Sequence, residues 1–580
     1  MAEKKTKKID FSSERFGNMA DKFYNKGDYI SALRFAYRQY VEFGGDAEIF
    51  ARIADIYEGM NLPSVALKWW YRFLNVADDV DLPEAYEGLA VNYLNMGYET
   101  QAAYYYKKLM EVDSTLPPEA KMQIAETFSK KKGSHLRVTY PPEKADYSLE
   151  MEGGSKALKA GDCARAIEIL SRVEKGAKDY PQAQEMQAVA YLLSGEAKRA
   201  ETICQELLLD EPRDVRTLAT LSAAYLEQNK TEESLEIAKR LANDEQSEDE
   251  ELYKVATVCC ENGLHEEALK KFEQLEKIMP YEGKMLFFKG MSALKCGKTD
   301  VAEDALDRLC TIHPEAEVAK YFLFVIRYAK ETGEWLCKPE EFTYFYHLPN
   351  AEREARCDSL VTIINKEKDE ASLLGLVALH DGYFEWCFDE MDGNDHDLQY
   401  LGLTAAEKAR ADEFLQEKTL DFEVLDVFKI EILRMLYMRN KDADIGVVLG
   451  HIYRYVPIHR IQIGRKKRKI FLQGYAKTAS RFAIVKDGYA LKMKRAAEKL
   501  YRAVEKTDAL DLFEKEGDIA CAIYMLSELH ELGQNEKFIY DAFEADKERV
   551  QRLVKITSAV EEANFIAQSQ NEKENKNEID

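Results

Sequence analysis

The amino-acid sequence predicts an all-α protein in which a solenoid of stacked helix pairs is followed by an irregular helical C-terminal region. The first observation behind this prediction is a small side chain that recurs about every 34 residues. The second is a turn-forming residue five positions before each small residue. The third is the return of helical periodicity after the repeats, because apolar side chains between residues 421 and 439 share one face of a helix.

The repeat is defined by eight small residues. Most lie 34 residues from the next one, and the exceptions are one spacing of 36 and one of 64. A small side chain at this position allows the backbones of two crossing helices to approach each other. The eight residues are Ala32, Ala66, Ala102, Ala166, Ala200, Ser234, Ala268 and Ala302.

A Gly or Asn stands five residues before each small residue. These residue types accept the positive φ that is needed where the chain reverses between two helices. Three repeats also carry a proline twelve residues after the small residue, where it is expected to end the second helix. The turn residues are Gly27, Asn61, Gly97, Gly161, Gly195, Asn229, Gly263 and Gly297.

Eight full repeats follow from these positions, and a ninth first helix is expected at Ala316–Lys330. One helix pair cannot bury its apolar face alone, so neighbouring pairs must stack. The repeats span residues 13–46, 47–80, 83–116, 147–180, 181–214, 215–248, 249–282 and 283–316.

The segment Gly263–Phe272, Gly-Leu-His-Glu-Glu-Ala-Leu-Lys-Lys-Phe, resembles the consensus of the tetratricopeptide repeat (TPR) family, whose period is 34 residues. The resemblance covers about residues 13–333. It implies a right-handed superhelix whose first helices line a concave groove. It also implies a scaffold or adaptor that binds proteins, since TPR grooves hold peptides, tails or helices of partners. The groove positions expected to bind a partner are Val189, Leu192, Ala223, Leu226, Tyr253, Thr257, Phe287 and Met291.

One specialised form of TPR domain does not fit. Domains that clamp the C-terminal carboxylate of heat-shock chaperones carry Lys and Asn at fixed positions of the first helix. The matching residues here, in repeats one, three and five, are Gly17, Asp21, Glu87, Val91, Glu185 and Val189. Chaperone tails are therefore not the expected partner.

The expected organisation has seven parts. Pro141-Pro142 favour an extended linker between two repeat blocks, and the polar C-terminal end lacks the apolar residues that form a core. The C-terminal domain is comparable, by analogy alone, to irregular HEAT or armadillo repeats. The parts are a tail at 1–12, TPR block 1 at 13–132, a linker at 133–146, TPR block 2 at 147–333, a connector at 334–351, a helical C-terminal domain at 352–560 that contains a basic segment at 451–506, and a disordered tail at 561–580.

Composition limits the functional class. Hydrophobic residues make up 46% of the chain, enough for a folded core. The net charge of -24 makes the average surface repel nucleic acid and anionic lipid, so such contacts would need a local patch. No apolar run is long enough to cross a membrane, and no secretory signal follows the basic start. The ten cysteines are scattered, which indicates reduced thiols and a cytoplasmic location.

The basic segment 451–506 is a local patch of this kind. It carries sixteen Lys and Arg against three acids, a net charge of +13. Three interpretations are open: a solvated face, docking on an acidic protein surface such as the chain's own repeats, and phosphate-backbone binding to RNA or DNA. The residues of the patch are the run Arg465, Lys466, Lys467, Arg468 and Lys469, and the helical stripe Lys492, Arg495, Lys499, Arg502 and Lys506.

No arrangement of residues indicates catalysis, a metal or a cofactor. Gly297-Lys298-Thr299 resembles the end of a phosphate-binding loop, but the required upstream Gly is Ser292, and Gly297 already serves as a repeat turn. The acidic stretch Asp389–Asp397 lacks the residue order of an EF-hand. We therefore expect a non-enzymatic adaptor that binds a protein or peptide. An RNA- or DNA-associated factor is the first alternative, and an enzyme of unrecognised type in the C-terminal region is the second.

Overall fold

The computed structural model describes residues 12–117, 119, 121, 147–244, 248–337, 341–366, 370–389, 395–529, 532–533 and 535–577. The predicted linker at 133–146 and most of the helix expected before it lie outside the described residues. The chain divides into two compact units. Unit 1 contains residues 1–125, 356–388 and 394–580, and unit 2 contains residues 126–355 and 389–393.

The predicted repeats coincide with helix pairs in both units, which confirms the helical-repeat fold. In unit 1 the first three repeats are α1 (Ser13–Tyr24), α2 (Tyr29–Phe43), α3 (Ala47–Gly59), α4 (Pro63–Val76), α5 (Leu82–Asn95) and α6 (Glu99–Val112). In unit 2 the next five are α7 (Ser148–Lys159), α8 (Cys163–Leu170), α9 (Tyr180–Leu193), α10 (Ala197–Asp210), α11 (Val215–Glu227), α12 (Thr231–Asn243), α13 (Asp249–Glu261), α14 (His265–Leu275), α15 (Gly283–Lys295) and α16 (Thr299–Ile312). The expected ninth first helix is α17 (Glu317–Thr332).

The two sequence signals of the repeat have the structural roles assigned to them. All eight small residues have no exposed surface, so each lies inside a helix crossing. All eight turn residues have positive φ, between 58° and 79°. Asp28, Asp46 and Asp214 begin helices because each side chain accepts a hydrogen bond from the backbone N–H three residues later. Local steric and capping requirements therefore fix the helix boundaries.

The C-terminal region of unit 1 is mostly helical. It contains α18 (Asn350–Asn365, which begins in unit 2), α19 (Glu370–Asp389, whose last residue belongs to unit 2), α20 (His396–Ala409), α21 (Asp412–Leu420), α22 (Asp426–Met438), α23 (Arg468–Phe482), α24 (Tyr489–Lys506), α25 (Glu516–Leu526), α26 (Glu536–Phe543) and α27 (Lys547–Asn577). Helices α23 and α25 cross closely at Gly474, where an added Cβ would lie 2.6 Å from the Cβ of Ile519. The Thr478 hydroxyl donates a hydrogen bond to the Ala520 carbonyl at 2.8 Å across the same crossing.

A β-hairpin interrupts the helices between α22 and α23. Strands β1 (Ala443–Leu449) and β2 (Ile452–Ile458) pair antiparallel, with Ala443 opposite Ile458 and Leu449 opposite Ile452. Gly450 and His451 form the two-residue turn, and both have positive φ, at 56° and 64°. That conformation matches the right-handed twist of the strands and suits a short hairpin turn. The sequence did not predict this element, because Gly-His is not among the strong hairpin dipeptides.

The last helix extends beyond the point where the sequence predicts a disordered tail. Helix α27 continues to Asn577, whereas disorder is predicted from residue 561. Its C-terminal part is rich in Glu, Gln, Lys and Asn. Adding residues to an existing helix requires no new nucleation, and Glu, Gln and Lys are good helix formers. A polar composition therefore does not exclude a helical extension here.

The buried small residues lead to a stability prediction. Replacing Ala268 by Trp in α14 places a large ring in a crossing without space, so the free energy of unfolding should fall by about 1–3 kcal/mol. Urea unfolding followed by far-ultraviolet circular dichroism measures the change. Lys270→Trp, at an exposed position of the same helix, is the control and should change little. Equal effects of both substitutions would contradict the assigned helix crossing.

Candidate protein-binding surfaces

The residues predicted to line the groove of unit 2 fall into two groups. Val189, Leu192, Ala223, Leu226, Tyr253 and Thr257 are partly exposed on α9, α11 and α13, the first helices of repeats five to seven. Phe287 and Met291 lie on α15, the first helix of repeat eight, and are 1% and 0% exposed. The first-helix face is thus accessible in repeats five to seven, whereas its groove positions in repeat eight are buried.

The connector that follows α17 packs against repeat eight. The Tyr346 ring lies 4.8 Å from the Phe287 ring, centroid to centroid. Two residues earlier, the Tyr344 hydroxyl lies 2.8 Å from Nδ1 of His265 and accepts a hydrogen bond from the Ser292 hydroxyl at 3.3 Å. Both tyrosines thus contact α15, the first helix of repeat eight. A segment of the chain itself therefore binds to part of the first-helix face.

Asp389 anchors this connector. Its Oδ1 accepts a hydrogen bond from the Tyr346 hydroxyl at 3.0 Å, and its Oδ2 accepts one from the Val318 N–H at 2.8 Å. Burial raises the pKa of the Asp389 carboxyl to about 7, although both hydrogen bonds favour the ionised form. The anchor therefore changes its protonation state near neutral pH.

The Asp389 carboxyl makes the stability of unit 2 depend on pH. Its folded pKa of about 7 lies above the ordinary value of 3.8, so the folded state binds the proton more tightly. The resulting stabilisation is complete below about pH 4 and is lost as the pH rises to about 7. The urea midpoint of unit 2 should fall over this range, and Asp389→Asn should reduce the dependence. An unchanged pH profile in the variant would show that this carboxyl is not responsible.

The first helices that carry the partly exposed groove residues also carry charged residues. Arg216 Nη2 on α11 pairs with Glu250 Oε2 on α13 at 2.8 Å, and Lys254 Nζ pairs with Glu250 Oε1 at 3.3 Å. Burial raises the pKa of the nearby Glu185 carboxyl on α9, while Lys254 and Arg216 oppose the shift. The face thus combines small, apolar and aromatic side chains with ion pairs between adjacent repeats. The apolar side chains provide contact area, and the charged groups provide polar specificity.

In unit 1 the second helices of the repeats are covered by the C-terminal domain. The hairpin turn lies on three tyrosines that point from the repeats. The Tyr71 hydroxyl donates to the His451 carbonyl at 2.8 Å, and the Tyr105 hydroxyl donates to it at 3.2 Å. The Tyr453 N–H donates to the Tyr105 hydroxyl at 3.0 Å, and the Tyr93 ring stacks on that of Tyr105. These hydrogen bonds satisfy backbone groups of the hairpin that would otherwise be buried without a partner.

Ion pairs extend this interface to α21 and the loop after it. Lys68 Nζ on α4 lies 2.8 Å from Glu423 Oε2 and 3.4 Å from Asp421 Oδ2. Arg72 Nη2 on the same helix lies 3.2 Å from Glu417 Oε1. Behind the hairpin, the Lys429 ammonium donates to the Val448 carbonyl at 2.6 Å, and burial lowers the pKa of Lys429 to about 8. The repeats and the C-terminal domain therefore form one body in unit 1.

The tyrosine contacts lead to a prediction for unit 1. Tyr105→Phe leaves the Tyr453 N–H without its acceptor, which should lower the free energy of unfolding by about 1–3 kcal/mol. Tryptophan fluorescence during urea unfolding measures it, because Trp69, Trp70 and Trp386 belong to this unit. Tyr104→Phe is the matched control, since no hydrogen bond of its hydroxyl occurs among the described residues. A neutral effect of Tyr105→Phe would contradict the assigned contact.

The first-helix face of unit 1 holds an acidic cavity of about 470 Å³. Asp21, Asp55 and Glu84 come from the three first helices α1, α3 and α5, and Arg52 pairs with Asp21 at 2.8 Å. The helices around the cavity keep water from Asp55, and Glu58 and Glu84 repel its charge, so the pKa of Asp55 is raised to about 6. This face has a different chemistry from the groove of unit 2.

The predicted basic residues lie on the surface of unit 1. Arg465, Lys466 and Lys467 are exposed in the loop before α23, Lys469 is exposed in its first turn, and Arg468 is partly exposed. In the stripe on α24, Lys499 pairs with Glu561 of α27 at 2.7 Å, and Lys506 donates to the side chain of Asn564 at 3.3 Å. Lys492 is partly exposed, whereas Arg495 and Arg502 are exposed. The acidic tract at Glu248–Glu251 belongs to unit 2, so the predicted docking of the stripe on the repeats stays a prediction.

The cysteines and other titratable groups form no reactive cluster in the described part of the chain. All ten cysteines are free thiols. Burial raises the pKa of Cys259 to about 11 and that of Cys260 to about 12, which makes both thiols unreactive. No group of three His, Cys, Asp or Glu residues among the described residues has the geometry of a metal site. A search of the described helices finds none with the length and apolar character of a membrane span.

The repeat architecture agrees with a comparison to protein families. Residues 157–223, which include parts of repeats four to six, match the family model of the tetratricopeptide repeat. Together with the buried small residues and the positive-φ turn residues, this match supports tetratricopeptide repeats in the helix pairs of this part of the chain. No curated protein matches the chain significantly.

Solved structures similar to the chain include other proteins with these repeats. A tetratricopeptide repeat protein from Parabacteroides merdae is 12% identical, covers 54% of this chain and 98% of its own, and has a TM-score of 0.26. The TPR domain of P58(IPK) is 13% identical, with coverages of 69% and 99% and a TM-score of 0.22. The TPR2AB domain of yeast Sti1 in its pHSP90 complex is 16% identical, with coverages of 45% and 96% and a TM-score of 0.20.

Proposed function

We propose that this protein is a non-enzymatic scaffold that binds a peptide segment of a partner on the first-helix face of repeats five to seven. The observation that carries this proposal is the connector. Its residues Tyr344 and Tyr346 both contact α15, the first helix of repeat eight, and Tyr344 also contacts His265 on α14, so the connector occupies this face as a bound peptide would. Next to this occupied part, the face continues with partly exposed groove residues.

The chemistry of the accessible face favours an extended or helical peptide with apolar side chains. Leu192 and Leu226 contribute partly buried apolar surface, and burying the rest of such a side chain is worth about 1–2 kcal/mol. The ion pairs of Arg216 and Lys254 with Glu250 offer charged groups to a partner's polar side chains. Apolar anchors with polar groups around them are typical of peptide grooves.

The proposal also includes a cytoplasmic location and a lack of catalytic activity. Ten free, scattered cysteines suit a reducing cytoplasm. No specific observation favours an enzyme in the C-terminal region, because its strongly perturbed groups are explained by structural contacts. Lys429, for example, donates to the Val448 carbonyl of the hairpin. A scaffold role requires only an accessible recognition face.

A selection from a random peptide library displayed on phage tests the groove. The full chain should enrich peptides with recurring apolar or aromatic residues. Leu192→Glu combined with Leu226→Glu should abolish their binding, because charges would replace apolar contacts in the floor. Leu209→Glu, on the second helix α10 where the side chain is 80% exposed, is the control and should retain binding. No enrichment, or equal binding by all three proteins, would overturn the proposal.

A further inference from the structure

The basic run at the start of α23 lacks neutralising partners. Arg465, Lys466, Lys467 and Lys469 are exposed, and no ion pair involves them in the described part of the chain. By contrast, Lys499 and Arg502 of the nearby stripe pair with Glu561 and Glu498. Adjacent like charges without counter-charges repel each other, in a protein whose net charge is -24. A polyanion would relieve this repulsion.

A cavity of about 400 Å³ lies beside the run. Three arginines line it: Arg460 after β2, Arg468 at the start of α23, and Arg502 on α24. Guanidinium groups bind phosphate oxygens with two parallel hydrogen bonds, and their charge is permanent. One carboxylate, that of Glu505, also lines the cavity, so the charge of the lining side chains remains positive.

Hydrogen bonds hold the loop before α23 in place. The Tyr501 hydroxyl donates to the Lys466 carbonyl at 2.6 Å, and Arg468 Nη1 donates to the Ile463 carbonyl at 3.1 Å. The Gln462 N–H donates to Glu498 Oε1 at 2.8 Å. Because these contacts fix the backbone, binding requires no ordering of the loop backbone beyond that of the side chains themselves.

We propose that this surface binds the phosphodiester backbone of a single-stranded nucleic acid. A single phosphate group, as in a phosphorylated peptide, would engage the arginine cavity and leave the four unpaired cations without anions. A backbone with a phosphate at every nucleotide supplies anions both to the arginine cavity and to the four unpaired cations. At physiological salt, screening limits the repulsion between distant carboxylates and a bound polyanion to about 8 Å, so the local positive charge can attract the polyanion. This site is separate from the peptide groove of unit 2.

Fluorescence anisotropy with labelled 20-nucleotide oligouridylate and oligothymidylate tests the proposal on the full chain. Binding of single strands should weaken with salt at a logarithmic slope of about -0.7 per neutralised phosphate. Four contacts predict roughly a 50-fold loss of affinity between 50 and 200 mM salt. Tighter binding of oligouridylate would indicate that the ligand is RNA, and tighter binding of oligothymidylate would indicate that it is DNA.

Charge reversal provides the decisive comparison. Replacing Arg465, Lys466, Lys467 and Lys469 by Glu should abolish binding, and Arg460→Gln with Arg502→Gln should weaken it without reversing charge. The matched control replaces Lys159, Arg165, Lys175 and Lys198 of unit 2 by Glu, which changes the net charge equally at exposed positions. It should retain binding, as should the groove variant with Leu192→Glu and Leu226→Glu. Circular dichroism verifies that each variant folds.

Three outcomes would overturn the proposal. The first is no binding of either oligonucleotide by the wild-type chain at 50 mM salt. The second is an equal loss in the run variant and the matched control, which would show a dependence on net charge alone. The third is binding of a phosphoserine peptide in the absence of oligonucleotide binding, which would assign the arginine cavity to a single phosphate group.

Discussion

Close packing at the helix crossings is the constraint on which the repeat region depends. Each crossing contains a side chain no larger than Ala or Ser, and all eight are fully buried. The crossing sets the angle at which a helix pair meets the next one, and the positive-φ residue before it sets the reversal within the pair. Since one pair cannot bury its own apolar face, every pair needs a neighbour, and the two ends and open faces of each block need other partners.

The remainder of the chain supplies those partners. In unit 1, α21 and the hairpin cover second helices of the repeats, and the His451 carbonyl accepts hydrogen bonds from the hydroxyls of Tyr71 and Tyr105. In unit 2, the connector covers Phe287 on the first-helix face of repeat eight. The same physical need, to bury apolar surface and satisfy polar groups, thus explains elements that show no repeat pattern. It also explains why peptide binding is proposed for repeats five to seven, where partly exposed apolar side chains remain.

Helix boundaries and helix crossings that depend on contacts within one repeat could be predicted from the sequence. Contacts between segments far apart in the chain could not. The spacing of Gly263 and Ala268 reflects local geometry, so the helix boundaries follow from it. Tyr71 and His451 are 380 residues apart, and no local pattern indicates that they meet. The sequence predicts Phe287 and Met291 as groove positions, but both are buried, and for the same reason it does not reveal that the connector packs on Phe287. The basic run was visible as a charge pattern, but its lack of ion pairs and the neighbouring arginine cavity required the fold.

The two proposed recognition surfaces rely on forces with different ranges. Apolar contacts in the groove of unit 2 act only when water has been removed, and they change little with ionic strength. The basic surface of unit 1 acts through charge, which salt screens over about 10 Å at 0.1 M. A charge-based site can attract a polyanion before contact, whereas an apolar groove selects its partner by shape after contact. The two proposals can therefore be tested separately, because added salt should weaken binding to the basic surface far more than binding to the groove.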